Sequence, residues 1–208
     1  MKKILLLLLL IAPLLDAAGQ ESVWDRWDPA VVKKAATAEG VDYMSAEEKK
    51  VITLMNLARL DGKLFGETFL EEYLKMNGPE KSSYVRSLYR DLAKCSQLPL
   101  IYPEKDLTLI AQGHARTSGQ TGHVGHKNFD KRFKPVLGNP YSQVGENCSY
   151  GYNTAMEVVI TLLIDEDIQD VGHRKNILNP AFNSAGVSFS PHTSYRYNCV
   201  TDFGSKMR

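Results

Sequence analysis

Apolar and polar positions alternate along this chain with helical periods first and strand-like periods last. Ser45-Ala-Glu-Glu48 has the arrangement of a capping box, in which a serine oxygen and a glutamate three residues on satisfy the free amides of a helix start. Val51, Leu54, Met55 and Ala58 then fall on one stripe, which predicts a helix to about Leu60 with Asp61-Gly62 as its stop. Two more amphipathic helices are expected over Glu67–Met76 and Lys81–Lys94, separated by the breaker Asn77-Gly78-Pro79. Glu104 to Ser118 reads as the next helix, with Leu107, Ile110, Ala111, His114 and Ala115 on one face. Asn153 or Thr154 caps a strongly apolar helix from Ala155 to about Asp165.

Between these helices, Gly119 to Pro140 holds neither period, and a structureless stretch of that length in a compact domain is usually functional. Two short strands, Ala185–Ser190 and Arg196–Phe203, are predicted near the end, with a turn around Pro191–Ser194. Helices flanking a small late sheet place the chain in the α+β class. Residues 20–42 carry Trp24 and Trp27 without a clean period and read as an N-terminal extension lying on a domain that occupies 43–208.

The first residues change the picture of location. Met-Lys-Lys, an unbroken apolar run from Ile4 to Ile11, and small residues at Ala17, Ala18 and Gly19 have the order of a secretory signal peptide over 1–19. About a dozen apolar residues fall short of the roughly 20 that a membrane span needs, so the mature form is expected to lack a transmembrane segment and to be extracellular or periplasmic. Removing 1–19 takes away Lys2, Lys3 and Asp16 and brings the 25 basic and 24 acidic residues into balance. Such neutrality argues against nucleic acid as a partner, because phosphate contacts select for basic excess. A monomer is expected.

Candidate chemistry is concentrated in two short segments, GENCSYG at 145–151 and GHRKNIL at 172–178. Glu146 between Gly145 and Asn147 suits a tight backbone position that could brace a neighbour, and taken alone it suits an exposed turn glutamate equally well. His173 follows a glycine at an expected chain reversal, and His126 lies in the long loop, with His123 as a weaker competitor. Imidazoles and carboxylates together suit zinc or another divalent cation, but the compact zinc spacings are absent. Cys95, Cys148 and Cys199 allow three single-bridge pairings in an oxidising compartment.

The order GHVGHKNF, GENCSYG, an apolar helix ending Asp165-Glu166-Asp167, and GHRKNILNPAFNSAGVSF resembles the CAP superfamily, which comprises cysteine-rich secretory, antigen-five and pathogenesis-related class-one proteins. Met55-Asn-Leu-Ala-Arg59 resembles that family's first-helix NxxR element, and residues 63–96 then look like a helical insertion. The resemblance implies a three-layer α-β-α sandwich with a small central antiparallel sheet and an open cleft. It implies a cleft tetrad of His126, Glu146, His173 and an acid. Leu162 stands where the family has tryptophan, so the acid falls on Asp165, with Glu166 beside it as the alternative.

Beside this resemblance, a bridge between Cys148 and Cys199 would join the GEN segment to the last strand and leave Cys95 free. The resemblance implies a secreted module that binds a peptide, glycan or lipid, with His126 and His173 as candidate ligands for zinc or another divalent cation. A metal-assisted hydrolase with Glu146 as general base is the alternative, and an extracellular interaction protein using the 63–96 helices is a third. The balance leans away from catalysis, since no nucleophile with an obvious base partner is present.

Overall fold

The computed structural model describes residues 22–78 and 82–207; the expected signal peptide over 1–19 lies outside them. A short 3-10 turn, Val23–Arg26, leads to α1 (Pro29–Ala35) and α2 (Ala46–Leu60). Next come α3 (Gly62–Phe65), a π-type turn Gly66–Leu70, α4 (Glu71–Asn77) and α5 (Ser83–Leu92). The two-residue β1 (Tyr102–Pro103) precedes α6 (Lys105–Thr121), α7 (Phe129–Phe133) and β2 (Tyr141–Tyr150). The last elements are α8 (Ala155–Ile164), α9 (Gly172–Ile177), β3 (Ser184–His192) and β4 (Arg196–Lys206). No helix among the described residues is long and apolar enough to cross a membrane.

The four strands form one sheet in the order β1-β3-β4-β2. The β3/β4 and β4/β2 pairs are antiparallel, whereas β1 runs parallel to β3, so the sheet is mixed. Helix α6 covers one face and the larger helical layer built on α2 and α8 covers the other, giving the α+β three-layer arrangement. Gly186 permits the close approach of α6, because a side chain there would collide with the Leu107–Thr108 backbone.

Helix α2 begins on the predicted capping box: Ser45 N donates to Glu48 Oε2 at 2.7 Å, and Glu48 N donates to Ser45 Oγ. Its expected single apolar stripe is exceeded, since every residue from Val51 to Leu60 is buried. The reason is position, because α1, α3, α8 and β3 pack around it. Two polar residues inside this helix tie the fold together. Asn56 Nδ2 donates to Ala35 O and Ile101 O, and its Oδ1 accepts from Ile101 N. Arg59, fully buried, donates to the carbonyls of Pro99, Ile177, Asn179 and Phe182 at 2.7–2.9 Å. Burial lowers its pKa to about 10, which leaves it charged at neutral pH among carbonyl dipoles rather than beside a carboxylate.

The helices within 63–96 contribute Phe65, Phe69, Leu70, Tyr73, Val85, Leu88 and Leu92 to the main core. Arg174 fastens them there, donating to Ser87 Oγ, Asp91 Oδ2 and Tyr84 O on one side and to Leu163 O and Ile164 O on the other. The N-terminal segment is bound as well, with Trp27 buried and its indole donating to Thr68 Oγ1 at 3.1 Å.

Three sequence expectations are corrected. Glu146 lies neither at a tight special backbone position nor in an exposed turn: Tyr141–Tyr150 is a strand in regular register with β4 from Val144 onward. Gly145 is required there by packing, because an added methyl would sit 2.9 Å from the Phe182 ring. The stretch from Gly119 to Pro140 is not wholly irregular, since α6 continues to Thr121 and α7 lies within it. The expected Cys148–Cys199 bridge is not formed, and all three cysteines are free thiols. Strand register gives the reason: Ser149 stands opposite Cys199 and Cys148 opposite Val200, so the two sulfurs point to opposite faces of the sheet. Cys148 packs beneath α6 with Ala111, Ala115 and Val200, and Cys199 joins the main core on the other side.

Candidate functional site

Strand β2 places Glu146 beneath α6, with its side chain fully buried. Three groups converge on its carboxylate. His126 Nδ1 donates to Oε1 at 2.8 Å, and Arg132 clasps both oxygens through its two terminal nitrogens. Burial works to raise the Glu146 pKa, but the hydrogen bonds from His126 and Arg132 outweigh it and hold the group down to about 2. Glu146 is therefore a fixed anion.

The loop carrying His126 is held from both sides. His114 Nε2 donates to Gly125 O at 2.9 Å, and Gly125 N donates to Tyr150 Oη at 2.9 Å. His114 also lies 3.8 Å from Glu146 Oε1. Burial lowers its pKa more than Glu146 raises it, which keeps this imidazole neutral.

A second dyad forms at the other end of the site. Asp165 ends α8 in the left-handed conformation, at φ 57° and ψ 44°. From there its Oδ1 accepts from His173 Nδ1 at 2.7 Å, while Oδ2 accepts from the backbone amides of His173 and Arg174. The same carboxylate thus orients the imidazole and caps the start of α9. Glu166 is exposed and accepts from Ser82 Oγ at 2.7 Å; it makes no hydrogen bond to His173, although it lines the same cavity as that histidine.

The two dyads are mechanically joined. Asn147, next to Glu146, donates from Nδ2 to His173 O at 3.0 Å and accepts from Asn176 Nδ2 at 2.8 Å. Cys148 Sγ lies 3.7 Å from His126 Nδ1, and the same residue lines a cavity of about 270 Å³ with Asp165 and His173.

Residues 54–203 match the family model of CAP, the cysteine-rich secretory protein family. This chain belongs to that family. A segment of 73 residues is 37% identical to the uncharacterized protein YkwD of Bacillus subtilis, covering 30% of this chain and 26% of that protein. The chain therefore spans about a quarter of that curated relative. Among solved structures, an extracellular Bacillus anthracis protein containing an SCP domain is 17% identical with a TM-score of 0.45, over 77% of this chain and 41% of that one. An outer surface protein of Borrelia burgdorferi is also 17% identical with a TM-score of 0.45, over 62% of this chain and 96% of that one.

Within this CAP domain, His126 and Glu146 form one pair, His173 and Asp165 another, and both imidazoles use Nδ1 for the carboxylate. Neither Nε2 has a hydrogen-bond partner among the described residues. His123 stands apart; its carbonyl accepts from His192 Nε2 at 3.1 Å.

Reading the sequence overlooks three members of the site. Arg132 comes from α7, a helix not expected, and no motif marks it. Helical period puts His114 on the apolar face of α6, which accounts for its burial but not for its proximity to Glu146. Asp202 stands directly opposite Glu146 on β4, fully buried, and no described residue donates a hydrogen bond to either of its oxygens. Burial and the neighbouring Glu146 raise its pKa well above the usual carboxylate range.

Proposed function

We propose that this CAP domain is an exported binding module. In this reading, His126 and His173 present Nε2 to a divalent cation or to a polar group of a peptide, glycan or lipid. The observation that carries the reading is the pair of Nδ1-braced imidazoles. A carboxylate on one ring nitrogen fixes the tautomer and makes the other nitrogen the acceptor, which is the usual arrangement behind a metal-binding histidine.

Imidazole nitrogen is a donor that suits a cation such as zinc; His126 and His173 would supply two ligands, water or an anionic ligand group would complete the shell, and the bound cation would supply charge for anchoring that group. The tight group His114, Glu146 and Cys148 fits a metal poorly. His114 Nε2 is committed to Gly125 O, Arg132 occupies the Glu146 carboxylate, and burial pushes the Cys148 thiol pKa up, further raised by the Glu146 anion.

The same electrostatics weigh against hydrolysis. A general base works best with a pKa near the operating pH, and Glu146 is held at about 2. Cys148 is likewise disfavoured as a thiolate nucleophile. The interaction-protein reading loses support because most apolar residues of 63–96 are spent on the core, Met76 being the exposed exception.

Equilibrium dialysis of residues 20–208 against zinc tests the reading. One equivalent should bind to the parent protein and none to His126→Ala/His173→Ala. Equal uptake by both would remove these histidines from the site.

A further inference from the structure

The N-terminal segment forms a cavity of about 680 Å³ between the turn Val23–Arg26 and α1. That volume lies within the roughly 300–1,000 Å³ typical of small-molecule sites. Every residue that lines it precedes Leu54, where the match to the CAP family model begins, and neither His126 nor His173 is among them. The segment is fastened to the core on both sides of the cavity. The Trp27 indole donates to Thr68 Oγ1, Asn56 Nδ2 donates to Ala35 O, and Thr37 Oγ1 donates to Ile101 O at 2.7 Å.

The lining combines one available aromatic ring with polar groups of both kinds. Trp24 is half-buried and set edge-to-face against Phe69, with ring centroids 4.8 Å apart, so its indole is already ordered. Its Nε1 has no hydrogen-bond partner among the described residues. Trp27 also lines the cavity, but it is buried and its N–H is spent on Thr68. Pro29, Val32 and Ala36 extend the apolar lining along α1 to its C-cap. The remaining three residues, Asp25, Lys33 and Glu39, are all exposed. Asp25 Oδ2 accepts from Ser22 N, which leaves Oδ1 open, and neither the Lys33 ammonium nor the Glu39 carboxylate has a partner among the described residues.

This mixture selects against charge. An anion meets two carboxylates, and a small cation meets Lys33. A quaternary ammonium is recognised by a cage of ring faces, and here a single ring is available. A proline-rich strand docks in a groove lined by several aromatics, which fails for the same reason. A neutral sugar matches what is present. The C–H groups on one face of a pyranose pack against an indole, and each hydroxyl both donates and accepts, so carboxylate, ammonium and indole N–H are all used. Rings with equatorial hydroxyls and equatorial linkages present the flattest C–H faces and suit one planar platform best.

We propose that this cavity binds a neutral, β-linked glycan of gluco-configured sugars, with one ring stacked on Trp24 and its hydroxyls shared among Asp25, Lys33 and Glu39. The site is separate from the histidine cleft and stands or falls independently of the reading above.

Nuclear magnetic resonance titration of isotope-labelled residues 20–208 with cellotriose and with triacetylchitotriose tests it. Trp24 and Trp27 are the only tryptophans in the chain, so two indole N–H signals report on the cavity. With at least one of the sugars the Trp24 signal should shift, and the Trp27 signal, held by Thr68, should move much less. Trp24→Phe assigns the signals; it keeps a ring but loses the donor, and should weaken binding severalfold. Lys33→Ala/Glu39→Ala alters exposed side chains, so that protein should fold, and its affinity should fall about tenfold or more. Choline and a polyproline peptide should leave the Trp24 signal in place, and His126→Ala/His173→Ala should retain sugar binding. No shift with either sugar at millimolar concentration, undiminished affinity in Lys33→Ala/Glu39→Ala, a stronger response to choline or to the polyproline peptide, or loss of sugar binding in the histidine variant would overturn the proposal.

Discussion

Glu146 and Asp202 face each other across β2 and β4, one carboxylate clasped by a guanidinium and an imidazole, the other fully buried with Glu146 as its neighbour. Two like charges at one cross-strand position are destabilising. The proton therefore resides on Asp202, whose pKa is raised by burial and by Glu146, while Glu146 stays ionised. An acid with a raised folded pKa binds its proton more tightly in the native state. Stability consequently falls as pH rises from the unfolded value, about 3.9, toward the folded one. Asp202→Asn removes that slope and keeps a donor beside Glu146. Its melting temperature at pH 7 should exceed the parent's by several degrees, at about 2–4 °C per kcal/mol for a domain of this size. A lower value would show that ionised Asp202 has a stabilising partner.

Arg132 should be the costliest single deletion at the site. Removing one member of a buried pair leaves the other charge uncompensated, at about 3–5 kcal/mol. The guanidinium retains some exposure, 16%, while the Glu146 side chain has none, so the lower end of that range applies. Arg132→Gln should lose about 3 kcal/mol in urea denaturation at pH 7. It should also change the acid limb. Glu146 has a folded pKa depressed to about 2, so its contribution is present above its unfolded value of 4.5 and lost as pH falls from there toward 2. With Arg132 gone that depression shrinks, and the loss of stability between these values should be smaller in the variant.

Asp165 separates support of a helix from support of a histidine. Asp165→Asn keeps a cap acceptor but removes the charge behind His173, so its thermal stability should drop by only about 1 kcal/mol. If His173 holds a cation, the weakened brace should lower zinc affinity by about 10–100-fold in a chelator competition. Glu166→Gln should change neither, because its carboxylate is hydrogen-bonded to Ser82 while Asp165 holds the His173 ring. A loss of zinc affinity in Glu166→Gln and not in Asp165→Asn would reverse the assignment.

What the sequence makes legible follows the range of the forces involved. Helices α2, α6 and α8 are readable because caps and periods are local, and β3 and β4 because their apolar runs are bounded by a turn. Strand β2 is not, since YSQVGENCSY buries the polar side chains of Glu146, Asn147 and Ser149, which breaks the expected apolar alternation. His126, Glu146 and His173 are recoverable from motif order. The choice of Asp165 over Glu166 depends on a left-handed residue at the end of α8, and the Asp202 pairing on strand register. Neither is written in spacing. Arg132 reaches Glu146 from 14 residues away through a helix too short to announce itself.

Register also decides the state of the cysteines. Forming a Cys148–Cys199 bridge would require β4 to slip by one residue, which would turn every side chain of that strand to the wrong face and drive Asp202 out of its site and Phe203 out of the core. Both thiols are buried, and burial raises the pKa of each, so oxidants meet neither an accessible sulfur nor a thiolate. Cys95 is half-buried, with its thiol donating to Asp91 O, and is the most accessible of the three. Alkylation of native protein with iodoacetamide should therefore add one label, at Cys95. In guanidinium without reductant, the intact mass should show three labels. A single label under denaturing conditions would mean a bridge between the other two, and β2 could not then pair with β4 with Ser149 opposite Cys199.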